Sequence, residues 1–333
     1  MRFLKRLLAI LLIVTIVYLL GPHPSIPLYT SGLPSVPATA DSLEKYVSKQ
    51  EAQHKIKPDN EARIVWANDS IKEKTEYAIV YLHGFSASQE EGNPVHRNIA
   101  KKFGCNLYLS RLSQHGIDTT DALINLTADN LWESAKEAYA IGKQLGKKVI
   151  LMGTSTGGTL ALQLAADNPE IAGLVLYSPN IAINDPNAWL LNNPWGLQIA
   201  RLVKGSKMNT AGSGSPQYNK YWNHIYRLEA TTQLEELLET SMTAATFNKV
   251  KQPTLTLYYY KDEKNQDPVV KVSAMKDMML QLGTADVQKK MVAIPGAGGH
   301  VLASPISSKD IVQVEKETAI FLETVLQLKP VVK

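Results

Sequence analysis

The chain has 333 residues, 44% of them apolar and 20% charged, with a formal net charge of +4. That composition excludes disordered, collagen-like and low-complexity classes, and a chain of this length can bury most of its apolar surface without staples. The single cysteine, Cys105, excludes an internal disulfide or a cysteine-rich zinc site. Arg2, Lys5 and Arg6 carry three of the net positives, so the remainder is near neutral and offers nucleic acid no electrostatic footprint.

The first twenty residues pair those three cations with an apolar run from Leu7 to Leu20, broken only by Thr15. A basic n-region before an apolar run reads as a signal segment or an uncleaved membrane anchor. Gly21-Pro22-His23-Pro24 follows instead of a small-residue cleavage site, which favours the anchor, with secretion after cleavage as the alternative. In either case the positive-inside rule puts the rest of the chain on the non-cytoplasmic side, periplasmic or extracellular. Residues 21–40 hold five prolines and read as an extended tether, so the folded domain is expected over 41–333.

Short β-rich apolar runs follow at Tyr77–Leu82, Asn106–Leu109, Lys148–Met152, Gly173–Tyr177, Thr254–Tyr260 and Val287–Ile294. Helical patterns lie between and after them, at about 95–103, 127–145, 156–167, 270–282 and 309–328. Continuous apolar strands alternating with helices predict a mostly parallel sheet covered on both faces. Sites in such sheets lie at the carboxyl ends of the strands. Residues 181–249 break the rhythm with Trp189, Trp195, Trp222, Tyr218, Tyr221 and Tyr226. They form either a lid whose aromatics face an apolar pocket or a helical insertion whose aromatics glue it to the core.

The strand at Lys148–Met152 runs into Gly153-Thr154-Ser155-Thr156-Gly157 and then a helix. This is G-x-S-x-G in the strand–turn–helix context of a nucleophile elbow: Ser155 sits in a strained turn, and the glycines relieve crowding. A serine hydroxyl needs a base, and the base an orienter; in a fold built on such an elbow they follow in the chain order Ser, acid, His. His300, in Pro295-Gly296-Ala297-Gly298-Gly299-His300, is the only histidine in the last hundred residues and is the candidate base. Asp267 is the favoured acid, at a loop-to-helix junction, and Asp262, nearer the strand end, is the alternative. An oxyanion hole needs two N–H donors. The residue after the nucleophile, Thr156, supplies one; Phe85, in the loop His83-Gly84-Phe85-Ser86 that ends the first strand, is the candidate for the other.

These pieces together resemble the α/β-hydrolase superfamily, within it the monoacylglycerol lipase, carboxylesterase and serine aminopeptidase-like group. The resemblance rests on HGF at 83–85, RLSQHG at 111–116, GTSTGG at 153–158, LYSP at 176–179, the acid loop at 262–270 and PGAGGH at 295–300. Gln114 departs from the group, which commonly has Gly before that His-Gly. The group's acid usually lies closer to its strand than Asp267 does, which keeps Asp262 open. The resemblance implies an α/β-hydrolase fold with a helical cap over about 181–249.

The expected function is hydrolysis of lipid-like or other apolar carboxylic esters by a Ser155–Asp267–His300 triad. The same triad would serve a peptidase or amidase, and a tethered non-catalytic binding module is the third reading. An aminopeptidase would need cap carboxylates for a substrate ammonium. Glu235, Glu236 and Glu239 are available there but read as the solvated face of a helix. No cofactor, metal or protein partner is indicated; the expected partners are a small-molecule ester and, through the N-terminal segment, a membrane.

Overall fold

A computed structural model describes residues 2–331. The first helix, α1 (Arg2–Leu19), has no buried residue. Its apolar part, Leu7 to Leu19, rises about 20 Å at roughly 1.5 Å per residue, short of a hydrocarbon core of about 30 Å. Among the described residues no helix is long and apolar enough to cross a membrane. The transmembrane anchor expected from the sequence thus finds no support in this helix, whose first turns hold three cations.

Residues 21–39 are extended, as expected, but lie on the body. Trp195 donates its N–H to Pro22 O and its indole to Val17 O, both at 3.0 Å. Trp132 and Lys136 both donate to Thr30 O, at 3.0 and 2.9 Å. A helix absent from the sequence reading, α2 (Ala40–Glu51), then buries Leu43 and Val47.

The core is a seven-stranded sheet in the order β1-β3-β2-β4-β5-β8-β9. The strands are β1 (Arg63–Val65), β2 (Thr75–Leu82), β3 (Asn106–Leu109), β4 (Gly146–Thr154), β5 (Gly173–Tyr177), β8 (Thr254–Tyr258) and β9 (Lys289–Ala293). All neighbours run parallel except β1, a three-residue edge strand too short to be legible in the sequence. The alternation of side chains splits the strands' burial between two faces. Ala78, Val80 and Leu82 of β2 join Leu151 of β4 on one face, beneath α4 (Ala128–Leu145), α5 (Thr156–Asp167) and α10 (Val272–Gln281). Ile79, Tyr81, Ile150 and Met152 point the other way, against α3 (Val95–Phe103) and α11 (Ile311–Thr324).

Chain order reverses between β2 and β4, which are paired with Leu82 opposite Gly153. The loops that leave these two strands therefore start side by side at the carboxyl edge, where such sheets open a crevice.

Between β5 and β8 the chain leaves the sheet. It forms α6 (Gly196–Lys204), a hairpin of β6 (Met208–Thr210) and β7 (Ile225–Arg227) enclosing α7 (Pro216–Tyr221), then α8 (Glu229–Ser241) and α9 (Ala244–Lys249). Glu229 holds this insertion together, accepting from Arg201 and Arg227 at 2.6 Å each. The later helices return to the body: Leu237 and Phe247 are buried in the main core. Glu235 and Glu236, expected on a solvated face, are also buried, because α8 is covered on two sides rather than one; only Glu239 of the three is exposed.

Candidate active site

Ser155 joins β4 to α5 with φ +53° and ψ −119°. A non-glycine residue in such a conformation costs about 1–3 kcal/mol and persists only where its surroundings over-determine it. Here they do. Ser155 N donates to Tyr177 O at 2.9 Å, and Ser155 O accepts from Gly158 N, Asn180 N and Thr159 N at 2.8, 3.0 and 3.1 Å. The flanking glycines are required by space: a Cβ on Gly157 would lie 1.9 Å from Leu82 O, and one on Gly153 2.5 Å from Gly157 O. Gly157→Ala is therefore expected to cost about 3 kcal/mol through forced backbone movement, lowering Tm by roughly 4 °C. Gly299→Ala, with nothing within 4 Å of its Cβ, is the control; thermal melts of both variants check this.

His300 Nδ1 and Asp267 Oδ2 are 2.7 Å apart. The other carboxylate oxygen of Asp267, Oδ1, accepts from Val269 N and Val270 N at 2.9 and 3.1 Å. Burial would raise the Asp267 carboxyl, but His300 and these N–H donors outweigh it and hold it below the ordinary carboxylate value. Burial would likewise lower His300, yet Asp267, with a contribution from Glu91, holds the imidazole above its ordinary 6.5. Asp262 stays away from the histidine: it is exposed, and its Oδ1 accepts from Lys264 N and Asn265 N, both at 2.9 Å, in its own turn. Residues 260–266 bulge outward, and Asp267 N returns to Tyr259 O at 3.1 Å. In space Asp267 thus sits at the strand end that its sequence position seemed to overshoot.

Ser155, His300 and Phe85 border one cavity of about 1030 Å³. Among the described residues Ser155 Oγ makes no hydrogen bond to His300; such contacts are commonly loose before substrate binds. Neither the Phe85 nor the Thr156 amide finds an acceptor there, so both remain available to an anion. Of the insertion's aromatics, Tyr218, Trp222 and Tyr226 border the cavity and Trp189, Trp195 and Tyr221 do not. Neither Glu235 nor Glu236 borders it.

His83, His96 and His115 are buried packing groups. His83 bonds Gly84 O through Nδ1 and accepts from Leu112 N through Nε2, and burial pulls its pKa well below 6.5. Burial takes His96 down to about 3 and His115 to about 4. Among the described residues no three His, Cys, Asp or Glu side chains cluster in a way that would hold a metal.

The sequence reading missed one group at the site, Glu91. It is 2% exposed, borders the cavity, and accepts from Gly84 N at 2.5 Å. Its surroundings in the sequence, Gln89-Glu90-Glu91-Gly92, read as an ordinary solvated charge pair; the signal that could have exposed it is its position six residues after the candidate oxyanion donor.

The family model described as serine aminopeptidase, S33, matches residues 128–298, half of the chain. The chain belongs to this family. Over 109 residues it is 33% identical to a thermostable monoacylglycerol lipase of Bacillus sp. (strain H-257), covering 32% of this chain and 42% of that protein. Over 113 residues it is 27% identical to a probable alcohol acetyltransferase of Saccharomyces cerevisiae (strain ATCC 204508 / S288c), covering 33% and 32%. The matched region thus spans less than half the length of these curated relatives. Among solved structures, the chain resembles one from a study of the metagenome-derived lipolytic enzymes LipS and LipT at TM-score 0.63 and 16% identity, covering 80% of this chain and 99% of that one. It also resembles the Paleococcus ferrophilus monoacylglycerol lipase at TM-score 0.57 and 15% identity, covering 78% and 97%. At these identities the likeness is one of fold, the α/β-hydrolase fold that this family member shares.

Proposed function

We propose that this S33 family member hydrolyses carboxylic esters with apolar acyl groups through an acyl-enzyme. The observation that carries the reading is the 2.7 Å pair of His300 with the buried Asp267, His300 sharing one cavity with a strained Ser155. Asp267 holds the His300 proton on Nδ1, which leaves Nε2 free to take the Ser155 proton as Oγ attacks the ester carbon. The tetrahedral oxyanion meets the Phe85 and Thr156 N–H groups. Collapse expels the alcohol with the proton from His300, and water then releases the acid by the same steps.

A cavity of about 1030 Å³ bordered by Leu190, Leu191, Ile199, Val203 and Leu234 supports an extended apolar acyl group. So do the lipase and esterase identities of the similar proteins. Of the cap carboxylates an aminopeptidase would call on, Glu235 and Glu236 stay outside the cavity, while Asp185 borders it. For domain organisation, the reading takes the insertion's first half, through about 228, as the cap.

The test is hydrolysis of p-nitrophenyl esters from acetate to palmitate by the full chain, with fluorophosphonate labelling of Ser155. A medium- or long-chain optimum is expected. No turnover on any ester together with no labelling overturns the reading, and labelling without ester turnover moves it to amide substrates. Because Asp267 raises the His300 pKa, and the base works only when neutral, kcat/KM should climb with pH through an apparent pKa above 6.5. A limb at or below 6.5 in the pH profile would contradict that assignment.

For localisation, the proposal is export: three cations followed by an apolar run of signal-segment length direct the domain to the non-cytoplasmic side. Cell fractionation checks it, and recovery of the active chain in the cytoplasm would overturn it.

A further inference from the structure

Gly84 is gripped from both sides. A Cβ placed on it would lie 2.9 Å from each carboxyl oxygen of Glu91 and 3.1 Å from Ser155 Cβ. Its N–H is spent on Glu91, and its carbonyl accepts from His83 Nδ1 at 2.8 Å and Ala87 N at 3.3 Å. With Gly84 fixed at both its N–H and its carbonyl, the following amide, Phe85 N–H, is held in place and makes no hydrogen bond among the described residues.

Glu91 also lies against the insertion: α7 packs on its turn, and Trp222 borders the same cavity. The residue after Trp222, Asn223, donates its N–H to Ser86 O at 2.7 Å. The carboxyl thus sits where the loop that carries Phe85 meets the segment that roofs the cavity. Burying a carboxyl costs stability unless it is well bonded, and an apolar side chain of similar size is commonly the more stabilising choice at such a place. Core packing alone therefore gives no reason for an acid beside the nucleophile.

We infer that Glu91 is a positioning residue of this site, which holds Gly84 so that the Phe85 amide points at the ester oxygen over Ser155. The inference rests on the serine-hydrolase reading and deepens it. The titratable groups facing Glu91 are His300 from the loop after β9, Tyr81 from β2 and Tyr218 from α7. Burial raises the Glu91 carboxyl to about 7, against the opposing pull of Gly84 N–H, His300 and Trp222. When ionised, it favours the His300 imidazolium, adding to Asp267.

The experiment compares full-length wild type, Glu91→Leu and Glu91→Gln on one p-nitrophenyl ester across pH, with active sites counted by fluorophosphonate. Glu91→Leu should lower kcat per counted site by roughly tenfold to a hundredfold, the scale of a misplaced oxyanion donor, with KM nearly unchanged. Glu91→Gln keeps an acceptor for Gly84 but no charge. It should hold kcat at pH 8 within about fivefold of wild type and move the acid limb of kcat/KM to lower pH. A purely structural role would lower Tm or the number of counted sites and leave both readouts in place.

Unchanged kcat per site in Glu91→Leu, or an unmoved limb in Glu91→Gln, overturns the inference; if Glu91→Leu does not fold, the Glu91→Gln limb decides. Wild type that neither labels nor turns over defeats the serine-hydrolase reading itself, and this inference with it. Labelled, active wild type with an unmoved Glu91→Gln limb defeats this inference alone.

Discussion

Ser155→Ala should lower ester turnover by about 10⁴–10⁶-fold, because the remaining His300 and Asp267 have no oxygen to activate and act only as a unit with it. The loss should fall on kcat, since the apolar cavity that binds the acyl group is untouched. Stability should change by no more than about 0.5–1 kcal/mol, because the hydrogen bonds that hold the elbow run through the Ser155 backbone. A calorimetric or fluorescence melt beside the kinetic assay separates the two effects. Activity of Ser155→Ala within tenfold of wild type would remove the serine from the mechanism.

Asp267→Asn should cost about 10⁴-fold in kcat. The substitution keeps an oxygen for Val269 N and Val270 N, so the loop stays folded. It replaces the oxygen facing His300 Nδ1 with an NH₂ donor. The imidazole must then accept at Nδ1 and carry its proton on Nε2, where it can no longer take one from Ser155. The same change removes the charge that raises His300, so any residual activity should show its acid limb at lower pH. Asp262→Asn should leave kcat/KM within about twofold, as expected of a surface substitution, because its carboxylate faces only its own exposed turn. If the two variants exchanged these outcomes, the acid would be Asp262, and the 2.7 Å pair would be structural.

Those assignments differ in how far the sequence could carry them. The candidate nucleophile follows from local rules, since a strand, a glycine-flanked serine and a helix in succession leave one geometry for the turn. The candidate base follows from order and scarcity, with one histidine in the last hundred residues. The acid was a choice between two, because chain distance misleads where residues 260–266 bulge and return Asp267 to Tyr259. The N-terminal segment is the converse case. Its composition matches a signal segment or membrane anchor, but no helix among the described residues is long and apolar enough to cross a membrane. For Glu235 and Glu236, the run of charge suggested a wet face, and burial came from a second layer that the pattern of α8 alone does not reveal.

The sequence by itself determined the parallel sheet, the order of its principal strands and helices, and the positions of Ser155 and His300, because each depends on residues within one or two elements. Only the tertiary structure decided which aspartate meets His300, which aromatics border the cavity, and that Glu91 is buried against Gly84. Each of these depends on segments far apart in the chain: the returning acid loop, the insertion folded over the sheet edge, and β2 paired with β4. Burial and hydrogen-bond partners are set by what closes over a residue, and no local pattern of charge or apolarity contains that information.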